Sequence, residues 1–134
     1  MARLAHTHAD RSWRSAELAK AESISPDYVA QILIILKRAG LVNSQRGMQG
    51  GFTLARDPAA ISVAEIIEAA EGPICLAPCT TQRQNCERLS LCVTQSVWSG
   101  AAEALKTYFA AISVRQLARQ AAELEQTAPP LFEI

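Results

Sequence analysis

The feature that most restricts this chain is a helix whose two ends are both written in the sequence. Ser25 offers a side-chain oxygen to the free N–H groups of a first turn, and Pro26 takes the position where a missing N–H costs nothing. Asp27 complements the positive end of the helix dipole, and Gly40 ends the run. Between these ends Val29, Ile32, Leu33 and Leu36 recur at i, i+3, i+4 and i+7, the spacing of one buried face. Asp27, Tyr28, Gln31 and Arg38 stay off that stripe and are free to touch something outside the core. Upstream, SAELAKAE reads as a shorter helix capped by Ser15, and the break at Glu22-Ser23-Ile24 leaves only a tight turn between the two. Two helices so joined, the second opening with polar residues, make the pattern of a helix-turn-helix, whose second helix enters a DNA major groove N-terminus first.

The next segment extends that pattern. Residues 41–46 and 52–55 are short strand-like runs around Gly47-Met48-Gln49-Gly50-Gly51, which predicts a β-hairpin and hence a winged helix. Arg46 stands at the base of this wing. The glycines beside it let the backbone approach a phosphate, and its guanidinium has the reach to enter a minor groove. The charge distribution agrees. Residues 1–56 carry eight Lys/Arg against four Asp/Glu, a balance of +4, whereas residues 57–134 carry five against nine, a balance of −4. A basic module joined to an acidic one suits a nucleic-acid reader with a separate regulatory or pairing segment.

Beyond Asp57-Pro58, Ser62 and Glu65 form a capping box that predicts a helix over residues 63–70, closed by Gly72-Pro73. From about residue 91 a long helix is expected, in which Val93, Val97, Ala101, Leu105, Phe109 and Ile112 recur beside Trp98, Ala104 and Tyr108. One small head cannot cover so long a stripe, so pairing with the same helix of a second copy is expected. Ser113 and Gln116 repeat the capping pattern for a helix to about Leu124, with Leu117 and Leu124 as its apolar contacts. The expected fold class is therefore mainly α: a winged helix-turn-helix head with a small β-hairpin wing, plus a long C-terminal dimerisation helix. Its divisions are a DNA-binding domain at 1–72, a cysteine-rich loop at 73–92, dimerisation helices at 91–126 and a flexible tail at 127–134.

No apolar run approaches the ~18 residues that span a bilayer, and MARLAHTHADRSWRS lacks the apolar core of a secretory signal. No membrane partner is expected, and a cytoplasmic location with reduced thiols is. The chain holds no Ser-His-Asp set, HExxH, Walker loop, GxGxxG or C-x-x-C pair, so no enzyme is expected.

The four cysteines, Cys75, Cys79, Cys86 and Cys92, are separated by three, six and five residues and flank a polar run from Thr80 to Asn85. Soft thiolates in such a loop suit iron-sulfur or zinc chemistry. Zinc fits less well, because its structural sites favour closely spaced cysteine pairs and only Cys75 and Cys79 approach one. By spacing alone a cluster, zinc, and thiols that sense oxidants or do nothing all stay open.

Taken together, these residues resemble the Rrf-two family of winged-helix transcription regulators, of the IscR, NsrR and RirA type. The likeness rests on Ile24-Ser25-Pro26-Asp27-Tyr28, on Arg38-Ala39-Gly40-Leu41-Val42, on Ser44-Gln45-Arg46-Gly47 with Gly50-Gly51-Phe52-Thr53-Leu54, and on Glu71-Gly72-Pro73-Ile74 running into the Cys-x6-Cys-x5-Cys loop. It implies a homodimeric repressor of transcription that binds a double-stranded DNA operator. Ser25, Pro26, Asp27, Tyr28 and Gln31 would then contact DNA from the recognition helix, and Arg46 with Gly47 from the wing. Glutamine is suited to reading an adenine edge. Ala30 is shorter than the polar side chain some relatives carry there.

The resemblance further implies a 2Fe–2S or 4Fe–4S cluster on Cys79, Cys86 and Cys92, whose loading, loss or chemical attack changes operator affinity in response to iron, redox state, nitric oxide or cluster supply. A fourth ligand is not assigned. Where IscR-type members place a histidine, three residues after the third cysteine, this chain has Gln95, and its late start lacks the stretch that carries an aspartate ligand in NsrR-type members. Cys75 is a possible fourth ligand, with His6 and His8 as further candidates. The alternative within the family is a cluster-free regulator whose thiols are inert or respond directly to oxidants.

Overall fold

A computed structural model describes residues 1–6, 11–48, 50–81 and 91–127. Along them run α1 (Ala2–His6), α2 (Ser15–Glu22), α3 (Pro26–Arg38), β1 (Val42–Gln45), β2 (Gly51–Leu54), a 3-10 turn (Pro58–Ala60), α4 (Val63–Glu71), α5 (Pro78–Thr81), α6 (Gln95–Ala110) and α7 (Val114–Thr127). The fold is mainly helical with one antiparallel hairpin, as expected. It divides into two units: Met1–Ile61 with the chain from Ser113 onward, and Ser62–Ile112.

In the first unit the two helices of the helix-turn-helix close in the same way. At the end of α2, Ser23 is left-handed (φ 55°); its N–H donates to Lys20 O at 3.3 Å and Ile24 N–H donates to Ala19 O at 3.0 Å. At the end of α3, Gly40 (φ 70°) donates to Lys37 O at 3.0 Å and Leu41 N–H to Leu36 O at 2.9 Å. This is the paired 5→2 and 6→1 closure that satisfies the last carbonyls of a helix, and at α3 it brings the buried Leu36 and Leu41 together. The start of α3 is as expected, with Ser25 Oγ accepting from Tyr28 N–H at 3.3 Å. The start of α2 is not. Ser15 is its first helical residue rather than its cap, because the Glu17 carboxylate reaches back to accept from Arg14 N–H at 3.0 Å and sets the boundary one residue earlier.

The core of this unit is built from Leu18 and Ala19 of α2, Val29, Leu33 and Leu36 of α3, and Leu41, Val42 and Leu54 around the hairpin. Leu4 of α1 joins them, from a helix that the sequence pattern does not announce. Helix α7 returns to this unit through Val114, whose N–H donates to the Ile61 carbonyl at 2.9 Å, and through Ala118. Arg3 ties α1 to both neighbours, donating to Glu22 at 2.8 Å and Glu125 at 2.9 Å. Hydrogen bonding to Glu22 is the main reason this guanidinium holds its proton more tightly than usual. The expected apolar contacts of α7 need correction: Leu124 is exposed and Leu117 only half-buried, while Val114 and Ala118 are buried. Small residues let helices approach closely, so Val114, Ala118, Ala121 and Ala122, in line with the ion-paired Glu125, define the inner face.

In the second unit the Ser62/Glu65 capping box forms as predicted, Ser62 N–H donating to Glu65 Oε2 at 2.8 Å and Glu65 N–H to Ser62 Oγ at 3.2 Å. Gly72 (φ 86°) ends α4. Val63 N–H donates to Ile112 O at 2.9 Å, and Lys106 pairs with Glu68 at 3.5 Å. Helix α6 is shorter than expected at both ends, starting at Gln95 rather than near Leu91 and stopping before Ile112. No side-chain cap marks its start at Thr94, so apolar spacing alone overextends it. No residue of α6 is buried within the single chain; Val97, Trp98 and Tyr108 are exposed. Part of the expected cysteine loop is helical, since α5 carries Cys79. Among the described residues no helix is long and apolar enough to cross a membrane.

Candidate nucleic-acid interface

The side of α3 turned away from the core is exposed and mostly polar at its start. Ser25, Pro26, Asp27, Tyr28 and Gln31 are all exposed, whereas Val29 among them and Leu33 beyond them are buried. The Ser25 hydroxyl is already occupied by its cap bond, so any group it meets outside the protein shares an oxygen that also holds the first turn. Lys37 at the far end of the helix donates to Ser44 Oγ, which fastens α3 to β1. Arg38 is exposed beside it.

The hairpin is equally well determined. Val42 pairs with Leu54, Asn43 with Thr53, Ser44 with Phe52 and Gln45 with Gly51, antiparallel. Arg46 leaves the end of β1 and Gly47 follows it with φ 111°, a conformation that favours glycine. A Cβ at Gly50 would collide with the Gln45 carbonyl oxygen and stand 2.8 Å from the carbonyl carbon of Arg46 and 2.9 Å from Gly47 O, so the turn is tight enough to exclude any side chain there. Arg46 is exposed, and among the described residues no hydrogen bond or ion pair engages its guanidinium.

Two supports of the wing are not visible in the sequence pattern. Trp13 extends the hairpin, its N–H donating to Phe52 O at 3.0 Å and its carbonyl accepting from Phe52 N–H at 2.7 Å. Arg14 Nη2 donates to the Met48 carbonyl at 2.7 Å and holds the turn from the side. Arg11 lies over the Trp13 ring at 3.9 Å from its centroid and also pairs with Glu17 at 3.2 Å. The only signal that marks this segment is a β-favouring tryptophan among polar residues, too short to read as a strand.

The cysteines belong to the other unit. Cys75 is exposed with Sγ donating to Ala77 O at 3.1 Å, Cys79 is half-buried in α5, and Cys92 is half-buried with Sγ 3.3 Å from Thr94 Oγ1. Cys86 and His8 lie outside the described residues, and Gln95 opens α6 with its amide donating to Ser99 Oγ at 3.1 Å. His6 ends α1 in the first unit, beside Arg115 and Arg119. Among the described residues no three His, Cys, Asp or Glu side chains gather as the ligands of one metal.

Against known proteins, residues 1–120 match the family described as Rrf2, iron-dependent transcriptional regulator. A protein of Neisseria meningitidis serogroup A named as an HTH-type transcriptional regulator is 32% identical over 103 residues, which cover 77% of this chain and 69% of that protein. Among solved structures the chain is similar to T. potens IscR, with a TM-score of 0.74 at 26% identity over 98% of this chain and 87% of that one. It is also similar to CymR, the global cysteine regulator of B. subtilis, with a TM-score of 0.71 at 28% identity over 89% and 87% of the two chains.

Proposed function

Because the chain belongs to the Rrf2 family of DNA-binding transcriptional regulators, we propose that two copies of it bind an operator in duplex DNA, as a cytoplasmic repressor, under the control of an iron-sulfur cluster. The observation that carries the DNA reading is the exposed strip on α3 beside a wing whose arginine is unengaged among the described residues. In this reading Asp27, Tyr28 and Gln31 meet base edges, with Gln31 suited to adenine, while Ser25 and Pro26 set the helix start against the backbone. Arg46 and Gly47 enter the minor groove, where a narrow groove attracts a cation. Pairing of two copies rests on the segment 91–126, α6 foremost, where Val97, Trp98 and Tyr108 stay exposed and no residue is fully buried within one chain.

The donor chemistry fits a cluster. Cys79 and Cys92 are half-buried, and thiolates are the soft ligands that iron-sulfur centres use. Cys79, Cys86 and Cys92 would hold it, with Cys75 available as a fourth ligand. When bound, such a cluster supplies a group that iron, oxidants, nitric oxide or cluster supply can load, strip or attack. The likeness to CymR, described as a cysteine regulator and not by iron, supports a second reading in which the chain regulates without a cluster.

The test is an anaerobic absorption spectrum with iron and sulfide analysis of the purified protein. Matching iron and sulfide, lost in Cys86→Ala while the fold is kept, is the expected result. Protein that stays colourless and metal-free after anaerobic reconstitution refutes the cluster and leaves the cluster-free regulator.

A further inference from the structure

We propose that Ile34 reads a thymine methyl group and so helps set operator specificity, an inference that rests on the DNA-binding reading above. Ile34 is 50% exposed in the third turn of α3. Counting along the helix, Asp27, Gln31, Ile34 and Arg38 are spaced by four, three and four residues, which places them on one face. All four are exposed, and Ile34 is the one apolar member. The core does not need it: Val29, Leu33 and Leu36 already attach the helix on its other side.

An exposed β-branched hydrocarbon on the outer face of a second helix-turn-helix helix has one apolar partner to find in the major groove. Among base-edge groups there, only thymine presents a methyl, at C5. Gln31 stands three residues earlier, about 4.5 Å along the helix axis and thus on the order of one base-pair step away. Glutamine is suited to adenine, so the pair would recognise adjacent A·T base pairs. Arg38, one turn beyond, supplies the cation that holds a phosphate at the edge of the same groove.

The experiment uses the full chain and a random-sequence duplex DNA library. After selection, each thymine of the enriched half-site is replaced in turn by deoxyuridine, which removes only the methyl, and affinity is measured by fluorescence anisotropy. At one position the unaltered protein should bind about fourfold more weakly, the effect of returning one buried methyl to water. Ile34→Ala should bind the thymine and uracil forms equally at that position. Because the uracil series uses the unaltered protein, it stands whether or not the variant folds. A half-site without thymine, uracil substitutions that are all silent, or a variant as sensitive as its parent would each overturn the role of Ile34 alone. Silent substitutions together with a change of oligomeric state in Ile34→Ala would instead place the residue in a protein interface. A library that yields no enriched sequence would overturn the DNA reading itself.

Discussion

Replacing Gly51 with alanine tests whether the wing is held by close backbone approach rather than by hairpin pairing alone. A Cβ at position 51 would stand 2.8 Å from the Trp13 carbonyl oxygen and 2.9 Å from its carbonyl carbon. Comfortable contact begins at about 3.5 Å, so the segment bearing Trp13 must withdraw by about 0.7 Å. The hydrogen bonds between Trp13 and Phe52, at 3.0 and 2.7 Å, then stretch past the useful range of about 3.2 Å. Each contributes about 1 kcal/mol net, giving a loss of about 2 kcal/mol. At roughly 4 °C per kcal/mol for a chain of this size, the melting midpoint followed by circular dichroism should fall by about 8 °C.

Gly40 provides the control, because its glycine serves a different purpose. It has φ 70° and nothing within 4 Å of a built Cβ, so alanine there costs only backbone strain of about 1–2 kcal/mol. Asparagine tolerates that conformation and should restore part of the loss at position 40, whereas Gly51→Asn should be no better than Gly51→Ala. A Gly51→Ala protein that melts with its parent, or rescue by asparagine at position 51 rather than 40, would refute the reasoning.

Three further outcomes follow from the same geometry. Arg46→Ala should flatten the dependence of log affinity on log salt by about 0.9 for each phosphate that the guanidinium no longer neutralises, or by about twice that for a dimer; an unchanged slope removes Arg46 from the interface. Ser25→Ala takes away the side-chain bond to Tyr28 N–H and should lower stability to urea by about 1 kcal/mol, with the m-value unchanged. Leu41→Ala removes a side chain that is 2% exposed where α3 closes, and should cost about 3 kcal/mol by denaturant titration; a loss below about 1 kcal/mol would mean that the site collapses around the change.

How far the candidate site is legible in the sequence depends on how local its determinants are. The exposed strip of α3 is legible because a helix period divides its residues into faces, and Val29, Leu33 and Leu36 are buried as that period requires. The same period puts Ile34 on that outer face, but only its 50% exposure shows that nothing in the fold covers this apolar side chain. The wing is legible from its glycines, yet what positions it is not: Trp13 and Arg14 reach Phe52 and Met48 across more than thirty residues of chain. Residues 82–90, with Cys86, lie outside the described residues, so the cysteine spacing stands as sequence alone.

By itself, the sequence determined the elements whose signals close within one helical turn or one hairpin. The Ser25 cap, the Gly40 closure and the Ser62/Glu65 and Ser113/Gln116 boxes are hydrogen bonds between residues three to five apart, so their partners are specified wherever the segment goes. Only the tertiary structure decided that α7 returns to α1, that its inner face is the alanine side rather than Leu117 and Leu124, and that Arg3 joins Glu22 to Glu125, 122 residues away from it. A period shows that a helix has an apolar face but not which surface will meet it. That choice depends on shape and on the loop entropy of bringing distant segments together, neither of which is carried by neighbouring residues.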